Sequence, residues 1–189
     1  MVRSKTYKKN IACLESLWDH DIETRLSVFP LLEITSKRNS IKTIFLTSNT
    51  QEELEHNLLM VKRRRDYGIL YLAFHGYPGG IFIDDIPVTI EILAFLMGKA
   101  FRGWVVHFGC CETMKIPKWR VLNFVTETGV LMVSGYKRMV DWVESSALDL
   151  LFLDRVQDYR DMRKFWNRFR KAHRDLVRLT GLETFHRDR

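Results

Sequence analysis

Apolar runs and polar breaks alternate along this chain with two different periods. Residues 11–16, 41–47, 69–75, 104–109 and 129–135 are short stretches rich in β-branched and aromatic side chains, with the length of buried strands. Between them the period changes. Leu54, Leu58 and Val61 fall at helical spacing and predict a helix over 51–66, with Thr50 and Glu53 as a capping box. Lys62 to Arg65 then form its cationic last turn and Gly68 ends it. Thr89 opens a second helix from Ile90 to about Lys99, and a third is predicted around 118–127. Residues 24–36 read as mostly helical around Pro30. Residues 77–88 read as a small surface hairpin, with Gly79-Gly80 and Asp84-Asp85 as its turn residues. From near Glu144 a long helix is predicted. Leu148, Phe152, Val156, Tyr159, Met162, Trp166 and Phe169 keep to steps of three and four along it, a packing stripe.

Strands alternating with helices imply an α/β fold, a mostly parallel sheet with helices on both faces. The chain has 189 residues, 46% hydrophobic and 28% charged, which fits one well-buried core and excludes a disordered polymer. No apolar run is long enough to span a membrane, and the polar, basic residues 1–10 read as a frayed start without a signal-peptide core. The expected location is cytoplasmic. Three cysteines, two of them adjacent, do not make a disulfide framework. Cys13 lies inside a strand run and reads as a small buried hydrophobe.

The chemistry concentrates where two apolar runs stop. Residues 69–74 end in His75-Gly76, and 104–108 end in Gly109-Cys110-Cys111-Glu112-Thr113. Ligands collect at the carboxyl ends of parallel strands. If these two strands are neighbours, His75 and Cys111 share one crevice, as a thiol nucleophile and its base require. Gly76 leaves room for a carbonyl to approach, so its N–H and that of Cys111 can form an oxyanion hole. Two other readings stay open: a core histidine beside two buried thiols, or a metal site from His75, His107, Cys110 and Cys111. The metal reading is disfavoured because no Cys-x-x-Cys pair is present and adjacent strand residues point to opposite faces. His107, inside a strand run, reads as a satisfied core histidine.

The order strand, His-Gly, hairpin, helix, strand, Cys-Glu-Thr resembles the caspase-like cysteine peptidases of the caspase–gingipain–separase clan. Within that clan it is most similar to bacterial CHAT-type domains. The matching stretch runs from about Ile69 to Asp158. The resemblance implies a caspase-like three-layer sandwich, with a peptidase domain over 1–154 and a basic helical segment over 155–189 packed on or extending from it. It makes His75 the general base and Cys111 the nucleophile, with Gly76 serving the oxyanion hole. Cys110 stands where the family commonly has Ala or Gly, which leaves a choice of thiol that is made for Cys111. Ser134, Gly135 and Tyr136, with Asp141 and Trp142 in the following loop, match the substrate-binding region. By analogy with separase-like relatives Asp141 selects Arg or Lys; the alternative is that Asp141 only caps a helix.

The activity implied is a cysteine endopeptidase acting on protein or peptide substrates, as a regulated bacterial effector in stress or antiviral defence. Regulation would come from an activating partner, a small nucleotide signal or homo-oligomerisation. No metal or cofactor is implied. Two alternatives belong to other classes. One is a catalytically silent interaction or ligand-sensing module on the same fold. The other is nucleic-acid binding through 155–189, which holds 11 Lys+Arg against 5 Asp+Glu, whereas 1–154 hold 19 against 18. Such a basic helix is more often a solvated face over a packed stripe, so nucleic acid is disfavoured as a partner.

Overall fold

The computed structural model describes residues 7–19, 23 and 26–187. Six strands form the central sheet: β1 (Asn10–Glu15), β2 (Thr43–Thr47), β3 (Tyr67–Ala73), β7 (Val105–Phe108), β8 (Met132–Tyr136) and β9 (Leu182–His186). Their order is β2-β1-β3-β7-β8-β9, and every pairing is parallel except β8 with β9. A second sheet, β4 (Gly76–Tyr77), β5 (Gly80–Ile83) and β6 (Ile86–Thr89), is antiparallel and follows His75 directly. Its β5–β6 turn is Asp84-Asp85, both at positive φ (49° and 60°), the two-residue geometry that matches strand twist and that Asp tolerates.

Strand alternation sorts the core into two layers. Ala12, Leu70, Leu72, Val106 and Val133 face α2 (Gln51–Val61), α3 (Ile90–Met97) and α4 (Lys118–Thr128). Ile11, Cys13, Tyr71, Val105 and Met132 face α1 (Phe29–Asn39), α5 (Trp142–Arg155) and α6 (Met162–Ala172). Helix α7 (Arg174–Thr180) sits on the second side, where Leu176 and Val177 join that layer. The result is the expected three-layer α/β sandwich.

Several boundaries move. Helix α2 starts as the capping box requires, with Thr50 Oγ1 accepting from Glu53 N at 3.2 Å. The return arm reaches one residue further back, as Glu53 Oε2 accepts from Asn49 N at 2.6 Å. The helix stops at Val61, so Lys62 to Arg65 follow it, and Gly68 lies within β3. The helix expected over 24–36 runs over Phe29–Asn39; residues 24 and 25 lie outside the described residues, as do 1–6 of the expected frayed start. The largest correction is at the C-terminus. The single long helix is instead α5, a 3-10 turn at Val156–Asp158, α6, α7 and then strand β9. Asp161 caps α6 by accepting from Arg163 N and Lys164 N, and Gly181 (φ 67°) turns the chain out of α7 into the sheet.

Candidate active site

Register brings the two polar strand ends together. Tyr71 on β3 pairs with His107 on β7, His75 lies four residues beyond the first, and Cys111 lies four beyond the second. The two loops meet at Gly76. A Cβ there would lie 2.2 Å from Cys111 O, 2.8 Å from Cys111 N and 2.9 Å from Cys110 Cβ. Only glycine permits this contact of backbone on backbone.

The loop 110–114 is pinned on both sides. Thr113 Oγ1 donates to Gly80 O at 3.2 Å, and Gly79 N donates to Thr113 O at 3.2 Å. Met114 N donates to Tyr136 O at 2.9 Å and Glu112 N to Arg138 O at 3.0 Å. Glu112 holds φ 54°, a left-handed conformation that a non-glycine residue adopts at a cost. The residue after Cys111 thus carries backbone strain that these bonds hold in place.

The two adjacent thiols face different surroundings. Cys110 is fully buried and its Sγ donates to Leu72 O at 3.2 Å; burial pushes this thiol well above the ordinary cysteine range. Cys111 is half-buried, and its sulfur accepts from Val140 N at 3.5 Å.

His75 is exposed and is held by the loop after β1. Its Nε2 lies 2.9 Å from Trp18 O. A carbonyl only accepts, so Nε2 carries the proton and the lone pair of the neutral ring is at Nδ1. The Trp18 ring meets His75 edge-on at 5.3 Å and Trp142 at 4.8 Å. Trp18 is itself anchored by the buried carboxylate of Glu15, which accepts from Trp18 Nε1 and Val28 N, both at 2.7 Å, and from Ser27 Oγ at 2.6 Å. Sequence reading missed this device: a glutamate at the end of an apolar strand, three residues before a tryptophan, was its one visible sign.

His75 and Cys111 open onto one cavity of about 170 Å³, walled by Trp18, Val28, Val140 and Trp142 and closed below by Tyr71 and Asp149. On the other side of His75 lies a cleft of about 510 Å³ that reaches Asp19, Phe82, Asp84 and Asp85. Under the first cavity is a buried polar network. Asp149 accepts from Tyr71 OH at 2.6 Å and from Tyr136 OH, and His107 Nε2 lies 2.7 Å from its Oδ1. His107 Nδ1 lies 2.8 Å from Ser134 Oγ. Proximity to the Asp149 carboxylate and burial push both phenols well above their usual range, burial contributing most. His107 is thus a satisfied core histidine.

The residues expected to bind substrate are placed in different surroundings. Ser134, Gly135 and Tyr136 are buried in β8, where Ser134 and Tyr136 serve the network under the cavity and do not line it. A residue in the middle of a central strand has no solvent face to offer. Asp141 is the N-cap of α5, its Oδ1 accepting from Val143 N at 2.8 Å and Glu144 N at 3.2 Å. Trp142 does line the cavity. Asp149, about two helical turns further on, was not singled out in the sequence; its only sign was an acid on the apolar face of an amphipathic helix, beside Leu148 and Phe152.

Among solved structures, the chain is similar to the Drosophila initiator caspase Dronc, with a TM-score of 0.58 and 9% identity over 89% of this chain and 75% of that one. At this identity the likeness carries the fold: the sandwich is caspase-like. No curated protein matches the sequence. A family profile matches residues 8–186, nearly the whole chain, and the protein accordingly belongs to DUF6642, a family of unknown function.

Proposed function

We propose that the chain is a cysteine endopeptidase that uses Cys111 as nucleophile and His75 as general base. The observation that carries this reading is the convergence of the two on one cavity: a half-buried thiol held by a backbone N–H, beside a histidine whose Nε2 proton is held by Trp18 O. The caspase-like fold supports it.

The Cys111 thiol proton passes to Nδ1 of His75, and sulfur attacks the carbonyl carbon of a peptide bond. Charge developing on the carbonyl oxygen is met by the N–H groups of Gly76 and Cys111, whose peptides lie in contact. The C–N bond breaks as imidazolium protonates the leaving amine. Water, deprotonated by the same imidazole, then cleaves the thioester and restores the thiol. Glu15 and the Trp18 carbonyl act by positioning, since they fix the imidazole and touch no reacting atom.

The test is to incubate the full chain with a mixture of unfolded proteins and sequence the new N-termini. Wild type is expected to generate termini that Cys111→Ala and His75→Ala do not. Identical termini from wild type and Cys111→Ala, or none from either, contradict the reading.

A further inference from the structure

In one continuous C-terminal helix, Asp154, Asp158, Asp161, Lys164, Arg168 and Lys171 would follow one another in steps of three and four. That is the spacing at which opposite charges pair, and it would leave a neutralised, solvated face. The structure breaks this row. Asp154 stays in α5, where its Oδ1 accepts from Arg38 Nε at 2.7 Å. Asp158 closes the 3-10 turn. Asp161 caps α6, accepting from Arg163 N and Lys164 N. What remains is a helix of 11 residues that carries five cations and no acid. Arg163, Lys164, Arg168, Arg170 and Lys171 are all exposed, and among the described residues the last four make no ion pair. A face of one sign repels itself and attracts a polyanion.

The cationic face continues past the start of α6 into a cavity of about 480 Å³ lined by Arg160, Arg163, Lys164 and Arg187. Its one carboxylate among the described residues, Asp161, is turned to the α6 amides. Arg187 Nη1 donates to Gly129 O at 3.1 Å, and Arg163 Nη2 donates to Arg187 O at 3.4 Å. Bonds to neutral carbonyls orient these guanidinium groups and leave their charge in place, ready for the oxygens of a phosphate. The aromatic rings of α6 point the other way. Phe165 and Phe169 are buried, and Trp166 packs against the same layer. The helix therefore offers no platform on which an unpaired base could stack, and no apolar face to enter a lipid surface.

We propose that α6 and the cavity at its start bind double-stranded nucleic acid through the phosphate backbone, without reading sequence. The 11 residues of α6 extend about 16 Å. Against a duplex with about 3.4 Å of axis per phosphate of one strand, that is room for about four contacts.

The test is fluorescence anisotropy of the full chain with a labelled mixed-sequence DNA duplex and with one of its strands alone. The duplex is expected to bind more tightly than the single strand, with a log–log salt slope of about −3.5. Lys164→Glu with Arg168→Glu is expected to weaken duplex binding at least about tenfold and to flatten the slope by about 2. Both positions are exposed, and an acid near the start of α6 suits the helix dipole, so the fold is expected to survive. Arg63→Glu with Arg64→Glu changes the net charge equally just beyond α2, whose helix packs on the opposite face of the sheet, and is expected to leave the affinity within about twofold of wild type. Absence of binding at low salt overturns the proposal. Equal weakening by the two pairs overturns it too, since binding then follows net charge and not this surface. So does a preference for the single strand, or cosedimentation with phosphatidylserine vesicles that persists in salt that releases the duplex.

Discussion

At the scale of single residues, the account turns on contacts that admit no substitution. Gly76 has backbone against its Cα on the side where a Cβ would go. Gly76→Ala must push the His75 and Cys111 loops apart, and is expected to cost about 1–3 kcal/mol in chemical denaturation and to slow alkylation of Cys111 in the folded protein. Glu15 serves three donors from a buried position. Glu15→Ala leaves buried donors without acceptors and is expected to destabilise by about 3 kcal/mol. Under conditions where the variant is still folded, Cys111 alkylation is expected to fall as well, since the Trp18 carbonyl no longer orients His75. Wild-type alkylation in folded Glu15→Ala contradicts the positioning role. At this scale the sequence was legible for His75, Gly76 and Cys111, because strand ends that stop at His-Gly and Cys-Glu-Thr are local patterns. It was not legible for Glu15 or Asp149. Apart from Trp18, three residues from Glu15, their partners lie 12 to 78 residues away along the chain, which no local pattern encodes.

At the scale of elements, the strands of the parallel sheet were readable because each is an unbroken apolar run, and the start of α2 because its cap is local. The C-terminal region was not. The stripe from Leu148 to Phe169 keeps helical spacing across the breaks at Val156–Asp158 and at the Asp161 cap, since α5 and α6 both pack on the same layer. Strand β9 has only five residues, Leu182-Glu183-Thr184-Phe185-His186, and its alternation is too short to stand out after a basic helix. Burial of His186 on this strand, together with Arg163 on α6, lowers its proton affinity, with Asp161 opposing. Its Nδ1 is buried without a partner, while Nε2 is shared with Thr184 Oγ1. A histidine depressed in the fold contributes stability that is complete above its unfolded value, about 6.5, and that is lost as pH falls through the folded value. The protection factors of the β9 amides, exchange rates taken relative to the intrinsic rate at each pH, are therefore expected to fall from about pH 6.5 downward, and His186→Gln is expected to flatten that dependence. A wild-type profile whose protection factors do not fall in acid, or an unchanged one in the variant, contradicts the assignment.

At the scale of the whole molecule, the sheet works as an alignment device. Tyr71, His107 and Ser134 lie in register across β3, β7 and β8, and Asp149 from α5 bonds to the first two and to Tyr136. The row locks the three strands whose ends carry His75, Cys111 and the Val140 loop, so the site inherits its geometry from the core. The fold class follows from alternation of periods and was legible in outline. The acidic lining of the two cavities was hidden, because Asp19, Asp84, Asp85 and Asp149 converge only when β1, the small sheet and α5 meet around His75. The measurement that bears most directly on the central claim is iodoacetamide labelling read by mass spectrometry on wild type, His75→Ala and Cys110→Ala. The account predicts selective modification of Cys111, slowed about tenfold or more without His75 and retained without Cys110. Slow modification of both thiols alike, indifferent to His75, would contradict it.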